Sequence, residues 1–138
     1  MRAPSSVALR YLNTTDLRFD FIYVDGDHSF EGVLLDIDGA LRLTEDENSV
    51  VLGDDWFWPD VRKAALVSAS RRNYSLCTSG NMWLRLRRDD VRAMALSTRG
   101  WRVYSGPSLW VATAKSLLYT PYKSLRSLDL RGRNKILN

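Results

Sequence analysis

The sequence predicts an α/β domain built around parallel strands, on the evidence of three adjoining segments. Two short apolar runs, near residues 19–25 and 49–54, each end abruptly in aspartate and glycine. Such runs are typical of strands that are buried on both faces, as in a parallel sheet. A segment with the apolar period of a helix separates them. Strand, helix and strand at this spacing form a right-handed βαβ unit with two parallel strands.

The helix inside this unit has a clear start and a regular apolar face. Ser29 is a residue type that commonly caps a helix N-terminus. From residue 30 onward, apolar residues recur three and four positions apart, which places them on one helix face. The residues on that face are Phe30, Val33, Leu34, Ile37, Ala40 and Leu41. The helix is expected to end in the acidic stretch of residues 44–48.

Further elements are predicted on both sides of the βαβ unit. Residues 4–12 follow a Pro-Ser-Ser opening and suit a short helix. Pro59 stands where a helix favours proline, at its first residue, and residues 60–72 continue that helix. Residues 74–88 alternate around Ser79-Gly80-Asn81 and predict a pair of strands.

The C-terminal part is predicted to add one helix and one hairpin. Residues 89–100 suit a helix, and residues 100–114 suit a hairpin around Ser105-Gly106-Pro107. We therefore expect one α/β domain over residues 1–115 and a basic tail over residues 116–138.

Length and composition exclude several classes of protein. The chain has 138 residues, of which 45% are apolar, and this fits one globular domain rather than a disordered or fibrous chain. It has no run of about 18 apolar residues, no apolar secretory signal, and only one cysteine, Cys77. These features predict a cytoplasmic protein that does not enter a membrane.

Charge divides the chain into two unlike halves. Residues 1–60 contain 13 Asp and Glu against 4 Arg, whereas residues 61–138 contain 16 Lys and Arg against 3 Asp. The acidic half can gather a cation, and the basic half can meet phosphate, nucleic acid or an acidic surface. A solvated, partly frayed basic tail is the simpler alternative for the second half.

Acidic residues follow both predicted parallel strands. Asp25 and Asp27 end the first strand, and Asp54 and Asp55 end the second. Because parallel strands open their carboxyl ends onto one edge of the sheet, we expect these side chains to converge. Carboxylates at such short distances repel each other unless one is protonated or a cation lies among them. Oxygen ligands favour Mg²⁺, Mn²⁺ or Ca²⁺.

Each of these residues also has a purely structural alternative. Aspartate is common in turns and at helix N-termini because its side chain accepts hydrogen bonds from nearby backbone N–H groups. His28 is a candidate general base, since its unperturbed pKa suits proton transfer near neutral pH. It can equally be an ordinary residue of the turn that precedes the helix.

Two stretches of the chain resemble a known enzyme family. FDFIYVDGDHSFEGVLLDIDGALRL and SVVLGDDWFWPDVRKA look like the fourth strand, its helix, the fifth strand and the next helix of class I S-adenosylmethionine-dependent methyltransferases. The branch is the one related to cation-dependent O-methyltransferases, and the similarity covers residues 17–70. It implies a Rossmann-like methyltransferase partial domain, with parallel central strands and an antiparallel C-terminal edge.

The resemblance also implies roles for individual residues. Asp25, Asp54 and Asp55 would hold Mg²⁺, and Asp25 and Gly26 would contact the cofactor S-adenosylmethionine. Asp27 would be the catalytic base, with His28 as the second candidate. The implied reaction is methyl transfer to a hydroxyl of a small-molecule acceptor, with no role for nucleic acid or membrane.

The chain departs from the family in its N-terminal part. The family binds its cofactor through a glycine-rich turn after its first strand, but this sequence has no G-x-G. The 18 residues before Phe19 are too few for three strands and their helices. The expectation is a truncated version that is inactive alone, with a completing chain or a second copy at its open strand edge.

Two alternatives come from other classes of protein. FIYVDGDHS and VVLGDDWFWPD also resemble haloacid-dehalogenase-type phosphatases, in which Asp25 would be the nucleophile and Asp27 its acid/base partner. The 29-residue separation of Asp25 from Asp54, and the lack of any Lys before Lys63, argue against that family. A non-catalytic module that binds nucleic acid through its basic, aromatic half is the other alternative.

Overall fold

Five strands form one mixed sheet in the computed structural model, which describes residues 3–46, 48–72, 74–87 and 96–118. The strands are β1 (Phe21–Val24), β2 (Val50–Gly53), β3 (Tyr74–Ser79), β4 (Met82–Arg87) and β5 (Arg102–Tyr104). Their order in the sheet is β1-β2-β4-β3-β5. The described residues form four helices: α1 (Ser5–Leu12), α2 (Phe30–Leu41), α3 (Pro59–Arg71) and α4 (Gly106–Leu118). The predicted α/β class is therefore confirmed, and at a coarse level the arrangement is consistent with a Rossmann-like fold.

The predicted βαβ unit is present. β1 and β2 pair in parallel, with Phe21 opposite Val50 and Val24 opposite Gly53. The connecting helix α2 begins where the sequence predicts, because the Ser29 hydroxyl accepts a hydrogen bond from the Gly32 N–H at 3.1 Å. Both strands consequently end at the same edge of the sheet.

The predicted hairpin of β3 and β4 is also present, and its second strand lies inside the sheet. β4 pairs antiparallel with both β2 and β3. Gly80 adopts φ of +56°, a conformation that glycine reaches without strain at a tight hairpin turn. Because β4 runs opposite to β2, its turn lies beside the carboxyl ends of β1 and β2.

The predicted hairpin around Ser105-Gly106-Pro107 is wrong, since α4 begins at Gly106. The Ser108 hydroxyl donates to the Ser105 carbonyl and accepts from the Ser105 N–H, and these bonds close the first turn of a helix. α4 then buries Leu109 and Thr113 on its inner face. Thr113 meets Ser70 of α3 at 2.7 Å between hydroxyl oxygens.

Two predicted segments fall largely outside the described residues. Of the helix predicted over residues 89–100, only residues 96–100 are described: residues 96 and 97 are helical, and residues 98–100 form a turn. The predicted domain boundary at residue 115 lies within α4. The remainder of the predicted tail, residues 119–138, is outside the described part.

The core lies between the helices and one face of the sheet. Side chains from all five strands contribute to it, together with side chains of α2, α3 and α4. A smaller cluster around Cys77 and Leu86 lies on the opposite face, packed against Leu96 and Trp101. The expectation that the first strand is buried on both faces is wrong: Phe21 is 59% exposed and Tyr23 is 46% exposed. β1 is at the sheet edge, and the helices cover only its other face.

No helix in the described ranges is both long enough and apolar enough to cross a membrane.

Replacing Gly53 with alanine is expected to destabilise the fold by about 1–3 kcal/mol, the usual cost of overpacking a dense interior. An added Cβ would overlap the Trp83 indole and lie 2.6 Å from the Val24 carbonyl oxygen. Urea unfolding followed by circular dichroism measures the loss. Gly80→Asn is the control, because nothing lies within 4 Å there and asparagine tolerates positive φ. Equal unfolding free energies for Gly53→Ala and the unsubstituted chain would contradict this packing.

Candidate functional site

Three of the predicted site residues converge at the carboxyl ends of the parallel strands. Asp25 follows β1, His28 precedes α2, and Asp55 follows β2. Each offers one possible ligand atom, and these atoms all lie within 4.8 Å of one another. The parallel pairing of β1 and β2 brings Asp25 and Asp55 together, as the sequence predicts. Two carboxylates and one imidazole at this spacing are a donor set for a divalent cation.

His28 and Asp55 are in direct contact. The His28 Nε2 and the Asp55 Oδ2 are 2.5 Å apart, and the Asn81 side-chain amide donates to the Asp55 Oδ1 at 3.2 Å. These two hydrogen bonds, first that of His28 and then that of Asn81, lower the pKa of Asp55. The ring of Trp58 lies 5.2 Å from the His28 ring and limits its position. Asp55 is therefore held as an ionised carboxylate.

The backbone at Asp55 takes a conformation that few residues adopt. Its φ is +63°, in the left-handed region, where an L side chain costs about 1–2 kcal/mol and aspartate is among the better tolerated residues. The turn directs the Asp55 side chain toward His28 and Asn81. Local strain of this kind is found where a side chain must point in a set direction.

Asp54, the third predicted metal ligand, is not in this group. Its Oδ1 accepts a hydrogen bond from the Asp55 N–H at 2.7 Å, and its carbonyl oxygen accepts from the Trp83 indole at 3.0 Å. The Asp54 carboxylate also lies close enough to the Tyr23 phenol to contribute to raising the pKa of that phenol. The structure thus brings His28, rather than Asp54, beside Asp25 and Asp55.

Asp27, the predicted base, is engaged with the start of α2. Its two carboxylate oxygens accept from the Ser29 N–H at 2.9 Å and from the Ser29 hydroxyl at 2.8 Å. These hydrogen bonds lower the pKa of Asp27. A side chain at position 32 would overlap Asp27, and glycine there allows the approach. The Asp27 carboxylate lines the same cleft as the other site residues. Because its pKa is lowered, it is a weak base.

Gly26, a predicted cofactor contact, has a packing explanation in this fold. A Cβ there would lie 2.8 Å from the Asp36 Oδ2. Asp36 of α2 is only 5% exposed, and burial raises its pKa although the nearby Ser5 hydroxyl acts in the opposite direction. The glycine therefore lets the turn between Asp25 and Asp27 close over a buried carboxyl group.

The cleft at this edge is small. Its enclosed volume is about 10 Å³, and it is lined by the strand ends together with Val33, Val61 and Trp83. Pockets that enclose a cofactor-sized ligand usually measure about 300–1,000 Å³. An enclosed space of this size holds about one water-sized particle, so the described residues have room for a single ion but do not fit S-adenosylmethionine.

Two residues of the site were not singled out from the sequence. Tyr23 precedes Asp25 by two positions in an extended segment, so the alternation of strand side chains was an available signal. Desolvation, and then the nearby carboxylates, chiefly that of Asp54, raise the pKa of the Tyr23 phenol. Asn81 had no such signal, because its place depends on β4 lying next to β2.

Comparisons with protein-family models, curated proteins and solved structures found no match for this chain.

The lowered pKa of Asp55 predicts a pH-dependent contribution to stability. Because the folded state binds this proton less readily than the unfolded state, the contribution is present above the ordinary pKa of 3.8 and is lost as the pH falls through the folded value. The Asp55→Asn variant lacks this contribution to stability, because asparagine has no carboxyl group to titrate. The stability difference between the unsubstituted chain and Asp55→Asn should therefore be largest near neutral pH and shrink below pH 3.8.

Urea unfolding at a series of pH values in chelator-treated buffer measures this difference. Asn81→Ala removes one of the two hydrogen bonds to Asp55 and should give a smaller effect of the same sign. A difference that does not change with pH would contradict the hydrogen-bonded, ionised state of Asp55.

Proposed function

We propose that this chain carries the acceptor-activating part of a cation-dependent O-methyltransferase, and that Asp25, His28 and Asp55 hold the divalent cation. The observation that supports this most is the meeting of their ligand atoms within 4.8 Å at one end of the β1–β2 pair. The proposal also draws on the resemblance of residues 17–70 to class I methyltransferases. The expected acceptor is a small molecule with a hydroxyl group.

The donor set bears on which cation is bound. An imidazole beside two carboxylates suits Mn²⁺ or Zn²⁺ better than Mg²⁺, which prefers oxygen ligands and retains water. We expect Mg²⁺ to bind at the same site with lower affinity than Mn²⁺ or Zn²⁺. When bound, a divalent cation stabilises the deprotonated form of a coordinated hydroxyl and so lowers its pKa.

The residues around the cation position have separate tasks in this proposal. Asn81 holds Asp55 through its side-chain amide, and Trp58 limits the position of His28. Asp27 accepts the acceptor's proton on its carboxylate. Its pKa is lowered by Ser29, so it is a weak base that matches an already acidified hydroxyl rather than an ordinary alcohol. These tasks end at activation of the acceptor, because the described residues do not fit S-adenosylmethionine.

Removal of any one of the three ligands should weaken cation binding. The affinity for Mn²⁺ should fall about tenfold or more in each of three variants, since even loss of a residue that only supports a metal ligand has an effect of this size. The variants are Asp25→Asn, His28→Gln and Asp55→Asn. Isothermal titration calorimetry at pH 7.5 measures it, with Zn²⁺ and Mg²⁺ titrated in parallel. Affinity for Mg²⁺ should be the lowest of the three cations.

Asp54→Asn is the matched control for Asp55→Asn. It removes the same charge from the adjacent residue, which lies outside the group of possible ligands. Its Mn²⁺ affinity should stay within about threefold of the unsubstituted chain. An equal loss in both variants would show that Mn²⁺ responds to local charge rather than to these ligands.

The cleft volume predicts weak binding of the methyl donor. S-adenosylmethionine titrated into the Mn²⁺-loaded chain should bind no more tightly than about 1 mM, or about −4 kcal/mol. Calorimetry measures this directly, with S-adenosylhomocysteine as the comparison ligand. Micromolar binding of either compound would contradict the conclusion that the described residues do not fit the donor.

A further inference from the structure

The outer face of α4 is apolar and exposed to solvent. Trp110 is 60% exposed, Val111 54%, Leu117 50% and Leu118 84%. Val111, Leu117 and Leu118 follow Trp110 by one, seven and eight positions, and this spacing places all four on one side of a helix. Ala114 lies on the same side and is exposed as well. These five residues are the outer face of α4.

The opposite side of α4 attaches the helix to the rest of the fold. Leu109 and Thr113 are buried there, and Ala112 packs against the core. The Thr113 hydroxyl also meets the Ser70 hydroxyl of α3. A surface helix held in this way usually presents polar residues to water on its other side. A set of large apolar side chains exposed together instead indicates a surface that docks on something else.

Positive charge accompanies the outer face of α4. Lys115 is exposed and is the only charged residue of this helix. Exposed Arg102 lies in β5, directly before α4, and exposed Arg71 ends α3, on which α4 packs. After α4 the sequence continues with residues 119–138, which contain five Lys and Arg against one Asp. The first of these basic residues, Lys123, comes five positions after the end of α4.

This charge discriminates between the possible occupants of the face. A second copy docked face to face would bring two Lys115 side chains, each followed by a basic stretch of sequence, to one interface. Like charges across an interface are unfavourable. An anionic bilayer offers an apolar interior for the exposed side chains and negative headgroups for the basic ones. Trp and Leu are residue types that enter the boundary between headgroups and acyl chains.

We propose that the outer face of α4 docks on the surface of a bilayer that contains anionic lipids. α4 would lie in the plane of that surface, with Trp110, Leu117 and Leu118 entering the headgroup boundary, and it would not cross the bilayer. One weak apolar contact gives only reversible binding, and the adjoining positive charge supplies the second contribution that stable association needs. Such docking differs from the expectation that a membrane has no role for this chain. It is independent of the proposed cation site.

Vesicles of defined composition test the proposal. The unsubstituted chain should bind vesicles of one third phosphatidylserine and two thirds phosphatidylcholine about tenfold or more tightly than vesicles of phosphatidylcholine alone, because the anionic headgroups attract basic residues. This preference should largely disappear at 0.5 M salt, since the screening length shortens. Co-sedimentation with sucrose-loaded vesicles measures the partition coefficient.

A double variant tests whether the outer face of α4 is the part that docks. Trp110→Ser with Leu117→Ser should lower the partition coefficient for the anionic vesicles about tenfold or more, because less apolar surface leaves water on binding. The matched control is Tyr11→Ser with Leu35→Ser, which removes side chains that are 56% and 63% exposed on α1 and α2. The control should bind within about threefold of the unsubstituted chain. Circular dichroism establishes that every variant is folded.

A second double variant tests the contribution of charge. Lys123→Gln with Arg126→Gln should weaken binding to the anionic vesicles about tenfold and leave binding to phosphatidylcholine vesicles unchanged. Arg10→Gln with Arg42→Gln removes the same charge from exposed positions in α1 and after α2. That control should stay within about threefold of the unsubstituted chain for both kinds of vesicle.

Three results would overturn the proposal. The first is an unsubstituted chain that binds neither kind of vesicle, and the second is equal binding by the α4 variant and its control in α1 and α2. The third is self-association in sedimentation velocity that Trp110→Ser with Leu117→Ser abolishes, in a chain that does not bind vesicles, because a second copy would then be the occupant. Titration of Mn²⁺ into the same α4 variant should give unchanged affinity, which keeps failure of this proposal separate from failure of the proposed cation site.

Discussion

The parallel pairing of β1 with β2 determines where the acidic side chains of interest lie. Because α2 returns the chain to the start of the sheet, both strands finish at one edge, and Asp25 and Asp55 finish with them. Two carboxylates in such proximity are stable only with a compensating positive charge or hydrogen-bond donors. His28 and Asn81 supply donors to Asp55, and the further compensation that a cation would provide is the physical basis of the proposed function.

The surrounding structure is arranged to hold this edge in shape. Asp55 keeps a left-handed backbone, and its neighbour Asp54 accepts a hydrogen bond from the Asp55 N–H. On the other strand, Gly26 lets the turn pack closely over the buried Asp36. Strain and close packing at a strand end cost stability, and they are typical of positions where side-chain direction matters more than stability.

Local patterns in the sequence were sufficient for part of this structure. The run that ends at Asp25, the cap at Ser29 and the turn at Gly80 each rest on neighbouring residues, and each was predicted. The hairpin predicted around Gly106 is a helix start in the structure: Ser, Gly and Pro favour turns, but proline is also favoured in the first turn of a helix. The place of Asn81 beside Asp55 depends on strand order, which no short-range pattern encodes.

The chain has a single histidine, so coordination of a cation by His28 is directly measurable. In a sample labelled with ¹⁵N only at histidine, pulsed electron paramagnetic resonance of bound Mn²⁺ detects a coupled nitrogen only if His28 is a ligand. A ¹⁵N coupling from one imidazole is expected, and it should disappear in Asp55→Asn as the ion leaves. Mn²⁺ bound with no ¹⁵N coupling would contradict the convergence of Asp25, His28 and Asp55 on one cation.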